Sequence, residues 1–409
     1  MENTASFFIW KYQFTDDKIL IYRDIFFSRT NIIYIDKIEM VSSATSFIMK
    51  KFGRCNLILT FAGNVFTLLG VPESIAEKFC SEFENSREKG EKLSLTPFDL
   101  LKKSLLQSHM IWYFVFLIAL WAMVFLFSST LVTADTAKRI SNFVFEHMLV
   151  GGTLVLSIGL PNILIWIWAL TGGYLKELIK YYNYTTIRRT NCLSFEYGLL
   201  IHRKIYITGS RIAVLEYQQT PIMRIFRYGT LRIRAVGYNP YFIKTQPLFP
   251  FLKEKKLKET VEKLLPEMKL EPKPTRKRCY FFFLFSWKSL LPFLCVLLAF
   301  LIGKAWFWAA GAIAILELIS YYLEYLYNFF ESDDHLTVLS KGGFFRTVSC
   351  LYTERIELIA ISGSQAKQRA GYTNVLIHVF GKSGLYARIR NISILTTDAF
   401  PFSNKKQLH

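Results

Sequence analysis

CLSFEYGLLIHRKIYI, residues Cys192–Ile207, alternates apolar and polar side chains, breaks at Gly198, and then resumes with a second apolar–polar run. Side chains two apart share one face of a strand, so the stretch predicts an antiparallel hairpin that turns at Gly198. Further on, TLRIRAV (Thr230–Val236) alternates again. It places Leu231, Ile233 and Ala235 on one face and Arg232 and Arg234 on the other. A helical pattern follows, in which Leu257, Val261, Leu264 and Leu265 form one stripe. Several strands closed by one amphipathic helix make a small barrel or sandwich with the helix over an open end.

The pattern recurs. At an offset of 174 residues, Ile19 falls on Leu193, Ile21 on Phe195, Arg29 on Arg203 and Ile38 on Ile212. Ile48, Met49, Lys50 and Phe52 fall on Ile222, Met223, Arg224 and Phe226, and Leu57 and Leu59 on Leu231 and Ile233. Here the closing helix carries Ile75, Phe79 and Phe83. A third copy follows the second at an offset of 144, with Gly342 on Gly198, Ile356 on Ile212, Val375 on Leu231 and Ile377 on Ile233. It shows no closing amphipathic helix. The chain is an internal repeat of three β modules.

Between the copies lie apolar runs. Hydrophobic residues make up 52% of the 409, too many for disorder, and charged residues only 20%. Four stretches, 110–130, 148–171, 281–303 and 305–323, reach the roughly 20 residues that span a bilayer. The last two form a hairpin about Gly303-Lys304. Lys89, Lys92, Lys102 and Lys103 precede the first run, and Lys176, Lys180, Arg188 and Arg189 follow the second. Because Lys and Arg concentrate on the cytoplasmic side, both termini and the central segment are expected there. The six cysteines form no CxxC pair, which excludes a disulfide framework or zinc site and suits a reducing compartment. MENTASFFIWKYQFTDD lacks the basic start and long apolar run of a cleaved signal peptide.

The succession of Gly198, Arg203, Arg211-Ile212, Thr220-Pro221-Ile222 and Arg224 resembles the type-2 bacterial pleckstrin-homology (PH) domain. Several such domains interleaved with helix pairs resemble YdbT-like multi-pass membrane proteins. The resemblance implies a PH-like fold for each module and a cell-membrane location, and it implies no reaction. The expected fold class is thus a membrane protein: four transmembrane helices in hairpins, interleaved with three all-β PH-like barrels, at least two closed by a C-terminal helix. The expected boundaries are 1–88 for module 1, 89–109 for a linker, and 110–171 for the first helix pair. Module 2 takes 172–270, a basic linker 271–280, the second helix pair 281–323, and module 3 324–409.

No Walker loop, dinucleotide fingerprint, hydrolase elbow, HExxH or EF-hand loop occurs, so no catalytic residue, cofactor or metal is expected. Glu331, Asp333, Asp334 and His335 read as a solvated turn rather than a metal site. Charge is more informative. Residues 172–280 hold 22 Lys/Arg against 8 Asp/Glu, whereas 1–108 hold 14 against 13. Part of that excess is the topology signal, but Arg203, Lys204, Arg224, Arg227, Arg232 and Arg234 lie within the repeat, where topology needs no charge. They are the candidate lipid- or partner-binding residues. The hairpin GLLIHRKIYI lacks the K-x(n)-[KR]-x-R signature with which eukaryotic PH domains grip phosphoinositides, so diffuse contact with anionic headgroups is the lipid reading. Lys288 and Glu317 sit at similar depth from the Gly303-Lys304 turn and are the candidate intramembrane pair.

The expected function is a non-catalytic integral membrane scaffold or adaptor whose modules bind proteins or anionic lipid headgroups at the inner membrane surface. The alternative is a component of a membrane transport or lipid-translocation complex. Candidate partners are the lipid bilayer, anionic headgroups and another membrane or PH-domain protein; nucleic acid is not expected, because neither a groove-reading helix nor a stacking motif occurs.

Overall fold

The computed structural model describes residues 10–106, 170–235, 246–270, 304–363 and 372–393, with short gaps inside these stretches. Module 1 opens with an antiparallel meander, β1 (Trp10–Phe14), β2 (Lys18–Asp24) and β3 (Ser28–Tyr34). A 3₁₀ turn at Ile35–Lys37 swings the chain into a second meander, β4 (Met40–Ser46), β5 (Arg54–Phe61) and β6 (Asn64–Pro72). A short helix, α1 (Phe47–Lys51), bridges β4 and β5, and α2 (Glu73–Glu84) closes the module.

Strand β7 (Glu91–Ser94) and helices α3 (Pro97–Leu105) and α4 (170–181) lead into module 2. There the plan repeats. A meander of β8 (Thr185–Arg188), β9 (Cys192–Tyr197) and β10 (Ile201–Thr208) passes through a 3₁₀ turn at Gly209–Arg211. The second meander is β11 (Ile212–Gln219), β12 (Tyr228–Ala235) and β13 (Gln246–Lys253), with α5 (Pro221–Ile225) between its first two strands and α6 (Leu257–Leu264) after it. Helix α7 (Lys304–Tyr327) introduces module 3, whose meanders are β14 (Phe329–Ser332), β15 (Leu336–Lys341) and β16 (Arg346–Tyr352), then β17 (Ile356–Ser362), β18 (Tyr372–Val379) and β19 (Leu385–Ser393).

Local chemistry explains the motifs. Gly198 turns the β9–β10 hairpin at φ +111°, and a Cβ there would collide with the carbonyl of Ile201. The Thr-Pro pair of the repeat is a helix start: Thr220 caps α5 by accepting from the backbone N–H of Met223, and Pro221 occupies the first turn, where its missing N–H costs nothing. In α6, Leu257, Val261 and Leu264 are buried as the stripe predicts. Among the described side chains of α2, Ala76, Phe79 and Cys80 are buried, while Ile75 faces outward; Phe83 lies outside them.

The sheets correct the expected barrels. They are open, and two of them cross module boundaries: the orders are β6-β5-β4-β10-β9-β8-β7 and β13-β12-β11-β16-β15-β14, flanked by β1-β2-β3 and β17-β18-β19. A strand edge carries unpaired N–H and C=O groups that must find partners. Each inner edge finds them in the neighbouring module, so the barrels do not close on themselves. The cores follow suit. Module 1 packs Ile19, Ile21, Leu57 and Leu59 together with Tyr206 from β10, while Met40 from β4 joins the core of module 2. Ala213 and Val214 from β11 likewise join the module 3 core of Phe330, Leu339, Leu351 and Val375.

The membrane arrangement is corrected as well. Among the described residues no helix is long and apolar enough to cross a membrane. That finding overturns the expected multi-pass cell-membrane protein, its transmembrane hairpins and the cytoplasmic assignment of its termini. The expected spans 110–130 and 281–303, and nearly all of 148–171, lie outside the described residues. The fourth belongs to α7, which carries Glu317 and Glu324. Its C-terminal end meets protein, where Tyr321 is buried and the Tyr327 ring receives the guanidinium groups of Arg224 and Arg346 at 3.8 and 5.1 Å, whereas Ile315, Leu316, Ile319 and Tyr322 are exposed. Some charges read as a topology signal are structural. Lys103 is buried against Glu177, and Arg188 donates to the carbonyl of Leu264 at 2.7 Å.

Candidate binding surface at the module joints

Two joints hold the three modules together, and they are the same joint used twice. In the first, β10 pairs antiparallel with β4, from Ile201 opposite Ser46 to Ile207 opposite Met40. In the second, β16 pairs antiparallel with β11, from Leu351 opposite Val214 to Arg346 opposite Gln219. Met40 and Val214 are equivalent at the 174-residue offset, and Ile207 and Leu351 at the 144-residue offset, so the register is identical. An ion pair crosses each joint at the same distance: Lys204 Nζ stands 3.6 Å from Glu77 of α2, and Arg346 Nη1 3.6 Å from Glu254 after β13.

Each ion pair lines a cleft between one module's last strand or helix and the next module's third strand. The first cleft encloses about 200 Å³ among Ser43, Glu73, Glu77, Cys80, His202 and Lys204, and the second about 140 Å³ among Tyr217, Glu254, Lys258 and Arg346. Burial, reinforced by Glu73 and Glu77, pushes the Cys55 thiol up to about 11; burial also pushes Cys80 up to about 12. Both remain thiols near neutral pH, and the thiolate is the nucleophilic form. The hydrogen bond from His202, at 2.9 Å, holds the Glu196 carboxyl below its usual range. Among the described residues no group of His, Cys, Asp and Glu is placed to hold a metal ion. Asp333 and His335 lie in the β14–β15 turn, where the Asp333 N–H donates to the Leu336 carbonyl and the His335 carbonyl accepts from Thr353.

The six basic residues singled out from the sequence do not share one face. Arg203 is exposed on β10, and Lys204 reaches both Glu77 and, at 3.8 Å, Glu196. Arg224 belongs to the second joint, where its Nη1 donates to the Gly343 carbonyl at 2.8 Å. Arg227 is exposed just after α5 in a left-handed backbone conformation, φ +57°. Arg232 and Arg234 lie on the outer face of β12 as the alternation predicts, and Arg234 Nε stands 2.6 Å from the buried carboxylate of Glu216. Lys288 lies outside the described residues, and Glu317 accepts a hydrogen bond from the Tyr321 hydroxyl on its own helix.

Sequence reasoning missed a different surface. At each joint the short helix after the module's fourth strand sits against the hairpin turn of the next module. The N–H of Phe47 donates to the Leu200 carbonyl, just as Arg224 reaches Gly343. Both short helices expose large apolar side chains beside cations. On and after α1, Phe47, Ile48 and Phe52 stand clear of the protein with Lys50 and Lys51, and Lys51 lies over the Phe47 ring. On and after α5, Ile225 and Phe226 do the same beside Arg227. The adjoining turns add exposed Leu200 and Ile201 at the first joint and Phe345 at the second. The signal was present in the repeat, since Phe52 aligns with Phe226, but an apolar residue at a repeated position reads as core.

A family model described as the bacterial PH domain matches residues 3–85 and 144–268, together half of the chain. No curated protein and no solved structure matches. The matched segments carry the first two modules, each with two three-stranded meanders and a closing helix. Module 3 adds the same strand order beyond them. On that match and that architecture, the chain belongs to the bacterial PH domain family.

Proposed function

We propose that the protein is a non-catalytic adaptor that docks on anionic lipid surfaces through the apolar and basic tips at its module joints. One observation carries this reading: two successive modules expose a phenylalanine at the same position of the repeat, Phe52 and Phe226, each close in sequence to an exposed cation, Lys50 and Lys51 in the first and Arg227 in the second. Such residues lower apolar rings into the headgroup region while their cations stay among phosphates. Each cation near an anionic surface contributes on the order of 1 kcal/mol. The clefts fit a passive role, since each holds an ion pair and the thiols of the first are protonated. Membership of a lipid- and protein-binding domain family supports an adaptor, and the YdbT-like resemblance supports several modules acting as one unit. A transport pathway is not proposed, because it rested on spanning helices.

Co-sedimentation of the whole protein with vesicles tests the reading. Vesicles of phosphatidylglycerol and phosphatidylcholine should pull the protein down, phosphatidylcholine alone should not, and raised salt should weaken the binding. Phe52→Asp with Phe226→Asp should reduce it several-fold. Equal binding to neutral vesicles, or none to acidic ones, overturns the proposal and makes these tips a protein-docking surface.

A further inference from the structure

The joint rule leaves two strands unsatisfied. Within the chain, the fourth strand of one module always pairs with the third strand of the next: β4 with β10, and β11 with β16. The corresponding outer strands have no such neighbour. Among the described residues β3 pairs only with β2, and β17 only with β18.

Their side chains show the same gap. Leu358 and Ile361 of β17 are each 54% exposed, whereas their equivalents Val214 and Tyr217 in β11 are each 1% exposed. On β3, Ile32 is 47% exposed, whereas its equivalents Tyr206 and Cys350 are buried. Outer edges in monomeric sheets are commonly blunted by charge or proline. These two carry one charge each, Arg29 and Glu357, and still expose Ile32, Leu358 and Ile361.

We propose that β17 of one copy pairs antiparallel with β3 of a second copy, in the register of the internal joints, so that the protein assembles head to tail. That register sets Ile361 opposite Thr30, Ile359 opposite Ile32, and Leu358 opposite Ile33. The faces agree. Leu358 would enter the module 1 core of the second copy, as Met40 enters module 2. Ile32 would cover the module 3 core beside Ile359, as Tyr206 covers module 1. The two strands of this contact are different surfaces, so it is heterologous and repeats without limit unless the rotation closes a ring.

Mixed-cysteine cross-linking tests the pairing and its register. Whole protein carrying Thr30→Cys is mixed with protein carrying Ile361→Cys, and mild oxidation should then yield a covalent dimer that neither variant forms alone. The sedimentation mass of the unmodified protein should rise with concentration, and Leu358→Asp should suppress the rise. Both cysteine positions are exposed or at an edge, so folding is not at stake. A monomer at every concentration with no cross-link in the mixture overturns the proposal and leaves the edges to PH-like modules of other chains. A dimer formed by the Thr30→Cys variant alone also overturns it, since that would be a β3–β3 contact.

Discussion

Lys103 Nζ of α3 stands 2.6 Å from Glu177 Oε2 of α4, with only 4% and 5% of the two side chains exposed. Beneath them, the Tyr181 ring lies 3.8 Å from the ammonium. Burial pulls the Lys103 pKa down to about 8, and Glu177 restores part of the loss. The pair joins two helices that precede module 2, and neither charge has a route to water that would let it survive alone.

Removing one partner should therefore be worse than removing both. Lys103→Met strands a buried carboxylate and should cost about 3–5 kcal/mol of stability. The double variant Lys103→Met/Glu177→Leu should recover most of that loss, because an apolar pair of similar volume pays no desolvation. Urea unfolding of Lys103→Met, Glu177→Leu and the double variant provides the measurement; additive losses would show that the two residues act independently.

Arg232 and Arg234 separate on the same logic. Arg234 neutralises Glu216, which is 1% exposed, so Arg234→Gln should destabilise the protein by about 1–3 kcal/mol. Arg232 is half-buried and its charge bears on the buried Lys103 and Tyr181, so Arg232→Gln should cost less than Arg234→Gln, about 1 kcal/mol or below. Thermal unfolding distinguishes them. Equal losses would mean that Glu216 does not depend on Arg234.

The buried thiols set a pH dependence. An unfolded cysteine ionises near 8.5, whereas the folded values are about 11 for Cys55 and about 12 for Cys80. Folding thus holds the protons, the stabilisation is complete below about pH 8.5, and it is lost as pH rises toward 12. Lys103 acts in the opposite sense between about 8 and its unfolded value near 10.4. Cys80→Ala should flatten the alkaline fall in stability, whatever its effect at pH 7. In the native protein at pH 8, iodoacetamide should label Cys55 and Cys80 far more slowly than in urea.

The meanders were legible where side-chain period reports burial. CLSFEYGLLIHRKIYI turns at Gly198, Leu231 and Ile233 point inward, and Leu257, Val261 and Leu264 face the core. The joints were not legible, because β4 and β10 meet through backbone N–H and C=O groups, which every residue carries alike. Charge misled for a related reason. Lysines near an apolar run signal topology only if they reach solvent, and Lys103 does not. The exposed Phe52 and Phe226 were hidden by their own repetition, since an apolar residue shared by two copies looks like packing.

Shared sheets should make the modules unfold together, and Tyr206 is the residue on which to test it. It belongs to β10 of module 2, yet its side chain packs into the module 1 core with Leu57 and Leu59. Truncating a buried aromatic costs about 3–5 kcal/mol, and here the loss should fall across the joint. In Tyr206→Ala, backbone amides of β5 should exchange with deuterium markedly faster, although no residue of module 1 has changed. The Cα pairing of β10 with β4 carries the effect, much as nearest-neighbour interfaces couple the units of other repeat proteins. Amides of β18, beyond the second joint, should respond far less. Faster exchange confined to β9 and β10 would mean that module 1 stands on its own core and that the continuous sheet adds little to it.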